Sequence, residues 1–233
     1  MRALVFCAGA GKRMRPLTQL MPKPLVPVLG IPMVVRQILA LRRAGVTEIM
    51  LNAAHGARIL QGAIGDGSRW GVRIAYSVEG NSTEEALETR GGIVKALPYL
   101  AEGGKAFLAV AGDIVTDYNY ARLLERARLL DQSNADAHLV LVPNPSYHPQ
   151  GDMSLAPSGR VGREGERLTF SSLAAYRTSL FEGLPAVEAK LFPWLWKIID
   201  AGRVTGERWD GAWYNVGTIE ERNRVEREIE ARK

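Results

Sequence analysis

Residues 7–17 read Cys-Ala-Gly-Ala-Gly-Lys-Arg-Met-Arg-Pro-Leu, directly behind an apolar run that opens the chain. Glycines after a buried strand let the backbone turn tightly with positive φ, and successive N–H groups in such a turn form a nest for anionic oxygens. Lys12, Arg13 and Arg15 add positive charge at that turn, so the chemistry on offer is the binding of phosphate groups. Two familiar loops are excluded. The dinucleotide fingerprint needs glycine where Met14 stands, and a Walker A loop needs glycine at Phe6 and Ser or Thr at Arg13. A plain tight turn is the alternative, and it leaves the cations unexplained. Further on, Lys23 stands between Pro22 and Pro24. Proline on both sides fixes φ and disfavours helix, so the lysine is expected on a rigid, extended segment as a fixed charge for a phosphate.

The charge distribution agrees with a local anion. The chain carries 30 basic and 25 acidic residues, a balance too mild to announce nucleic-acid binding. Residues 1–50 nevertheless hold eight cations and one anion, so the remainder is slightly acidic. Solvated helix faces account for Arg36, Arg42 and Arg43 but less well for Lys12, Arg13, Arg15 and Lys23, which sit among Gly and Pro. The 233 residues suit one large domain. No apolar run reaches the length of a membrane span, and no secretory signal opens the chain. The single Cys7 permits no internal disulfide, which fits a reducing compartment. A cytoplasmic protein without membrane partners is expected. The three histidines lack zinc spacing.

Apolar runs alternate with helical patterns from the start. Strands are expected over residues 2–7, 48–52, 72–78 and 106–111, and helices over 32–44, 57–64 and 92–100. This alternation implies an α/β fold with a Rossmann-like, mostly parallel sheet flanked by helices. Beyond residue 113 the pattern loosens into helix 120–130, strands 138–142 and 167–177 with hairpin-like pieces between, and an apolar helix 190–201 whose Phe192, Trp194, Leu195 and Trp196 read as core. Thr218 and Glu221 form a capping box for a last helix over 218–231. The second half is a smaller α+β annex on the first sheet.

These residues resemble a known family. Gly-x-Gly-x-Arg-Met-x-Pro-Leu-Thr followed by Pro-Lys-Pro-Leu resembles the signature of the sugar-1-phosphate nucleotidylyltransferases. The similarity continues through residues 52–55, 65–71, 87–93, 112–113, 139–145, 151–152, 168–171 and 213–218. Those segments look like the branch that couples UTP to N-acetylmuramic acid 1-phosphate in peptidoglycan recycling. The resemblance implies the nucleotide-diphospho-sugar transferase fold, with a nucleotide half over 1–112, a sugar half over 113–217 and a C-terminal helix over 218–233. It implies attack by a sugar-1-phosphate oxygen on the α-phosphorus of a nucleoside triphosphate with release of pyrophosphate, which asks the protein for positioning and charge neutralisation rather than a nucleophile.

Carried over residue by residue, Arg13 matches the arginine that holds the leaving pyrophosphate, and Lys23 the lysine between the α-phosphate and the incoming sugar phosphate. Ala8, Gly9, Ala10, Gly11 and Lys12 would line the triphosphate, with Gly91 in the same nucleotide-binding set. Glu79 stands where the family reads the base. A carboxylate accepts and cannot donate, so it suits the ring N–H of uracil, thymine or guanine; an exposed loop glutamate is the alternative. Asp113, straight after the strand 106–111, is placed to hold Mg²⁺, with a turn-capping Asp as the alternative. The family's second metal carboxylate is here Asn215. Asn144, Gly151 and Asp152 match positions near the sugar, Thr89 is expected near it in the glycine-rich turn before a helix, and Ala111, in the same substrate-binding set, stands where the muramic branch often has Asn. Arg90 replaces a small residue of that turn, and either pairs with the lactyl carboxylate or is a surface arginine. Residues 80–86 make a connection longer than the family's and are expected to form a flap. The partners expected are UTP and a sugar-1-phosphate, not nucleic acid, with a monomer or weak dimer as the assembly. Transfer to another hexose-1-phosphate with UTP, dTTP or GTP, and a non-catalytic nucleotide-sugar sensor, are the rival readings.

Overall fold

The computed structural model of the protein describes residues 1–80, 82 and 84–232; Asn81 and Thr83, within the expected flap, lie outside the described residues. In chain order the first half contains β1 (Arg2–Phe6), the short α1 (Leu17–Leu20), a small hairpin of β2 (Pro27–Val28) and β3 (Ile31–Pro32), α2 (Met33–Arg43), β4 (Glu48–Ala53), α3 (Ala57–Ile64), β5 (Arg73–Val78), α4 (Glu88–Ala101) and β6 (Ala106–Ala111). The second half contains β7 (Ile114–Thr116), α5 (Tyr120–Leu130), β8 (Ala137–Val142), β9 (Met153–Leu155), β10 (Val161–Gly162), β11 (Arg167–Arg177), α6 (Trp194–Asp200), β12 (Val204–Arg208), β13 (Trp213–Asn215) and α7 (Ile219–Glu230).

Strands β5, β4, β1 and β6 lie side by side and parallel. The eleven-residue β11 then runs antiparallel to β6 and carries β8, with β12 parallel to it, and β9 with β10. One sheet therefore runs unbroken through both halves. Its two faces follow from the two-residue period of a strand. Ala3, Val5, Ile49, Leu51, Leu108 and Val110 point to one core with residues of α2, α3 and α5. Leu4, Met50, Phe107 and Ala109 point to the other, closed by Ile93 and Leu100 of α4 and by Leu195 and Ile199 of α6. Both faces are buried, which is why these strands read as continuous apolar runs.

Three local expectations are corrected. Lys23–Leu25 is a 3₁₀ turn rather than an extended segment; the flanking prolines supply its φ, and Val26 N–H bonds back to the Lys23 carbonyl at 3.0 Å. Helix α6 begins at Trp194, four residues later than expected, because Pro193 disfavours helix before it and the Ala189 carbonyl is bonded to the first turn of α4. Helix α4 begins at Glu88, so Thr89 lies within it rather than in a turn before it. Thr218 does cap α7 through the full capping box with Glu221.

Candidate active site

The turn after β1 and the ends of β4, β5 and β6 open on one edge of the sheet, where open α/β sheets bind ligands. Ala8, Gly9, Ala10, Lys23, Asn52, Glu79, Glu88, Thr89 and Asp113 line a cleft of about 300 Å³ there. A second cleft of about 380 Å³ adjoins it and shares Phe6, Glu88 and Thr89. Its walls are Ala109, Ala111, Phe170, Ser172, Ala174, Tyr176, Lys190, Leu191 and Phe192. Together the clefts form one trough with a charged end and an apolar end.

At the charged end, Lys23 and Asp113 form a close ion pair. Lys23 is 8% exposed although charged, so Asp113 is what makes its burial tolerable. Gly11 has φ +59°, and a Cβ there would fall 2.9 Å from Thr18 Cγ2 and 3.0 Å from Lys23 Cβ. That glycine lets the phosphate turn close on Lys23, while the Thr18 hydroxyl donates to the Gly11 carbonyl at 2.9 Å. Gly9, by contrast, faces open space without positive φ. Lys12 and Arg13 form an exposed 3₁₀ turn outside the cleft lining. A Cβ on Gly217 would come within 3.1 Å of the Arg13 guanidinium, so Arg13 lies against the β13–α7 junction. Asn215 is brought beside Asp113 through β13, which pairs with Ile114, and Val216 N–H donates to the Asp113 carbonyl at 3.3 Å. Among the described residues no three His, Cys, Asp or Glu side chains are grouped so as to hold a metal ion by themselves.

The Glu79 carboxylate is held from two sides. Asn52 Nδ2 donates to Oε1 at 2.6 Å and Leu87 N–H donates to Oε2 at 2.8 Å. The Cys7 N–H donates to Asn52 Oδ1 at 2.7 Å, which fixes the orientation of the Asn52 amide. Burial pushes the Glu79 carboxyl above the ordinary carboxylate range, against these hydrogen bonds, which pull it down. A Cβ on Gly92 would meet Glu79 Oε1 at 2.5 Å, so this glycine makes room for the carboxylate. Burial and the charge of Asp113 push the Cys7 thiol up, leaving it inert.

Other expected site residues stand elsewhere. Gly91 is buried in α4, its N–H on the Ala189 carbonyl at 3.1 Å. The Asn144 amide bonds the Pro149 and Arg167 carbonyls and accepts from the Thr169 hydroxyl. Asp152 accepts from Phe170 N–H at 2.8 Å and pairs with His148 at 3.0 Å. Gly151 and Asp152 line a separate depression with Arg163, Arg167 and Trp196, which shares Phe192 with the apolar cleft. Ala111 and Thr89 do line the trough.

Sequence reasoning missed Asn52 as the orienter of Glu79, and it missed Ser172, Lys190 and Phe192. Ser172 enters the cleft because β11 shifts register between Phe170 and Leu173, where Ser172 takes φ +61°. The apolar run around Phe192 reads as core, and Phe192 does pack on that core while lining the trough. Arg2, counted among the excess cations, is instead buried against Glu48 and Glu102 at 2.9 and 2.7 Å.

A mostly parallel sheet with a glycine turn and the Lys23–Asp113 pair at its edge, and a charged cleft running into an apolar one, make an α/β fold suited to a phosphorylated ligand. The profile of the nucleotidyl transferase family matches residues 2–166, and the chain belongs to that family. It is 44% identical over 223 residues to the N-acetylmuramate α-1-phosphate uridylyltransferase of Neisseria meningitidis serogroup B, covering 94% of each chain. It is 36% identical over 187 residues to a UTP–glucose-1-phosphate uridylyltransferase of Synechocystis, of which it spans 46%. The fold superposes on HddC from Yersinia pseudotuberculosis with a TM-score of 0.79, 19% identity and coverage of 98% of this chain and 99% of that one.

Proposed function

We propose that the protein transfers a uridylyl group from UTP to N-acetylmuramic acid 1-phosphate, in the cytoplasm, as a step of peptidoglycan recycling. The observation that carries this reading is the continuous trough, with Lys23 and Asp113 at its charged end and an apolar hexose-sized cleft beside it. The similarity to the Neisseria enzyme supports the choice of sugar. In the reaction a sugar-phosphate oxygen bonds to the α-phosphorus of UTP, the bond from that phosphorus to the bridging oxygen breaks, and pyrophosphate leaves with the electron pair.

Backbone N–H groups of residues 8–12 cradle the triphosphate. Lys23 neutralises charge where the two phosphates meet, and Arg13 steadies the leaving pyrophosphate from the β13–α7 side. Glu79, held by Asn52, accepts the uracil N3–H; cytosine and adenine offer no such ring donor. Asp113 and Asn215 supply one carboxylate and one amide oxygen. That set fits Mg²⁺, which needs only one or two protein oxygens beside phosphates and water, and the ion when bound draws charge from the phosphates. The halves expected from the sequence, 1–112 for the nucleotide and 113–217 for the sugar, both contribute to each cleft: Asp113 lines the charged one, and Ala109 and Ala111 wall the apolar one. UTP and the sugar phosphate are the partners, rather than nucleic acid or membrane, and a monomer or weak dimer suffices.

Pyrophosphate release with UTP and Mg²⁺ tests the reading, comparing N-acetylmuramic acid 1-phosphate with glucose, N-acetylglucosamine and mannose 1-phosphates. The expected result is a clear preference for the muramic substrate. A preference for another sugar would discard that choice and keep the nucleotidyl transfer.

A further inference from the structure

N-acetylmuramic acid differs from N-acetylglucosamine by a lactyl ether on O3, which carries one carboxylate and one methyl group. A protein that prefers it needs a cation beside an apolar surface, at a distance from the anomeric phosphate. Arg90 is the cation nearest the expected sugar turn in sequence, but its guanidinium lies over the Trp194 ring, 5.5 Å from the centroid, and it does not line the trough. Lys190 does. Among the described residues, two charged side chains line the apolar cleft, Glu88 and Lys190. Glu88 sits at the boundary shared with the charged cleft, whereas Lys190 belongs to the apolar cleft alone.

The backbone around Lys190 is anchored. The Ala189 carbonyl accepts from Arg90 N–H at 2.9 Å and Gly91 N–H at 3.1 Å, and Ala189 N–H donates to the Leu87 carbonyl at 2.9 Å. A Cβ on Gly91 would stand 2.1 Å from the Val187 carbonyl oxygen, so glycine there lets residues 187–189 lie against the first turn of α4. The strap thus holds Lys190 at the rim, while its ammonium makes no ion pair within 4.0 Å among the described residues. Leu191 and Phe192 follow it and line the same cleft as Ala111, the Phe192 ring edge-on to that of Phe170 with 6.3 Å between centroids.

We infer that Lys190 is the specificity-determining residue for the muramic substrate: its ammonium pairs with the lactyl carboxylate while the lactyl methyl packs against Phe192 and Ala111. This rests on the proposed function. The test compares kcat/KM at saturating UTP for N-acetylmuramic acid 1-phosphate and N-acetylglucosamine 1-phosphate in the wild type, Lys190→Ala, Lys190→Arg and Arg90→Ala. The muramic-to-glucosamine ratio is expected to fall about tenfold in Lys190→Ala, the loss of one exposed charge-assisted hydrogen bond. It is expected to recover in Lys190→Arg and to hold in Arg90→Ala. Because a ratio is read, a general loss of active protein does not imitate the effect. A ratio in Lys190→Ala within twofold of wild type, or a fall in Arg90→Ala instead, would overturn the inference. Failure of the underlying function shows separately, as a wild type that does not prefer the muramic substrate.

Discussion

The charged cleft draws much of its lining from loops behind parallel strands, whereas the apolar cleft is floored by the face of the sheet itself, with α4 and the strap of Lys190–Phe192 beside it. Ala8–Ala10 follow β1, Glu79 follows β5 and Asp113 follows β6, each at a strand's carboxyl end. The apolar cleft is walled instead by Ala109 and Ala111 of β6 and by Phe170, Ser172, Ala174 and Tyr176 of β11, residues spaced two apart on one face. Loops can offer backbone N–H groups and charges to phosphates. A sheet face has its backbone committed to the ladder, so it offers shape, and small residues such as Ala109, Ala111 and Ala174 make the space. The difference suits a nucleotide at one end and a sugar ring at the other.

The largest effect expected at the charged end is that of Lys23→Ala. Removing a preorganised charge of this kind costs roughly 10²- to 10³-fold in turnover, read as initial rates of pyrophosphate release. Loss below tenfold would move the phosphate chemistry away from Lys23. At the other end, Ala111→Leu fills space without touching charge. It is expected to raise the sugar-phosphate KM about tenfold or more, while UTP affinity by calorimetry stays within twofold; a parallel loss of UTP binding would erase the division between the clefts.

A smaller effect belongs to base recognition. Glu79→Gln is expected to weaken UTP binding by roughly 5- to 10-fold, the scale of one hydrogen bond to a charged group. The pH dependence has a fixed sign. Burial raises the Glu79 pKa, so acidification protonates it earlier than an exposed glutamate and removes an acceptor for uracil N3–H. UTP affinity should therefore fall as pH drops through that raised value, and the fall should vanish in Glu79→Gln. A pH profile identical in the two proteins would separate Glu79 from the base.

The same contrast explains what was legible in the sequence. The phosphate turn, Lys23 and Asp113 announce themselves through spacing, because each is set by a few neighbouring residues: a strand, a glycine, a proline pair. The alternation of strands and helices was readable for the same reason, and so was the Thr218–Glu221 box. Asn52 as a support for Glu79 was not, since the contact joins residues 27 positions apart, one in β4 and one just after β5. Ser172 depends on a register shift in a long strand, which leaves no signal in Phe-Ser-Ser-Leu alone. Lys190 depends on a strap docked to α4 from a hundred residues away, and the apolar run after it suggested helix and core. Asn144 and Asp152 matched a motif, yet their polar atoms are bound within their own loop and β11.

The division of nucleotide and sugar between the two clefts is open to direct observation. A crystal structure of the protein with UDP-N-acetylmuramic acid tests it most directly. The expected result is uracil N3–H on the Glu79 carboxylate, the diphosphate beside Lys23 and Asp113, and the hexose over Ala111 and Ser172. A hexose seated instead in the depression of Asp152, Arg163 and Arg167, or a uracil away from Glu79, would contradict it.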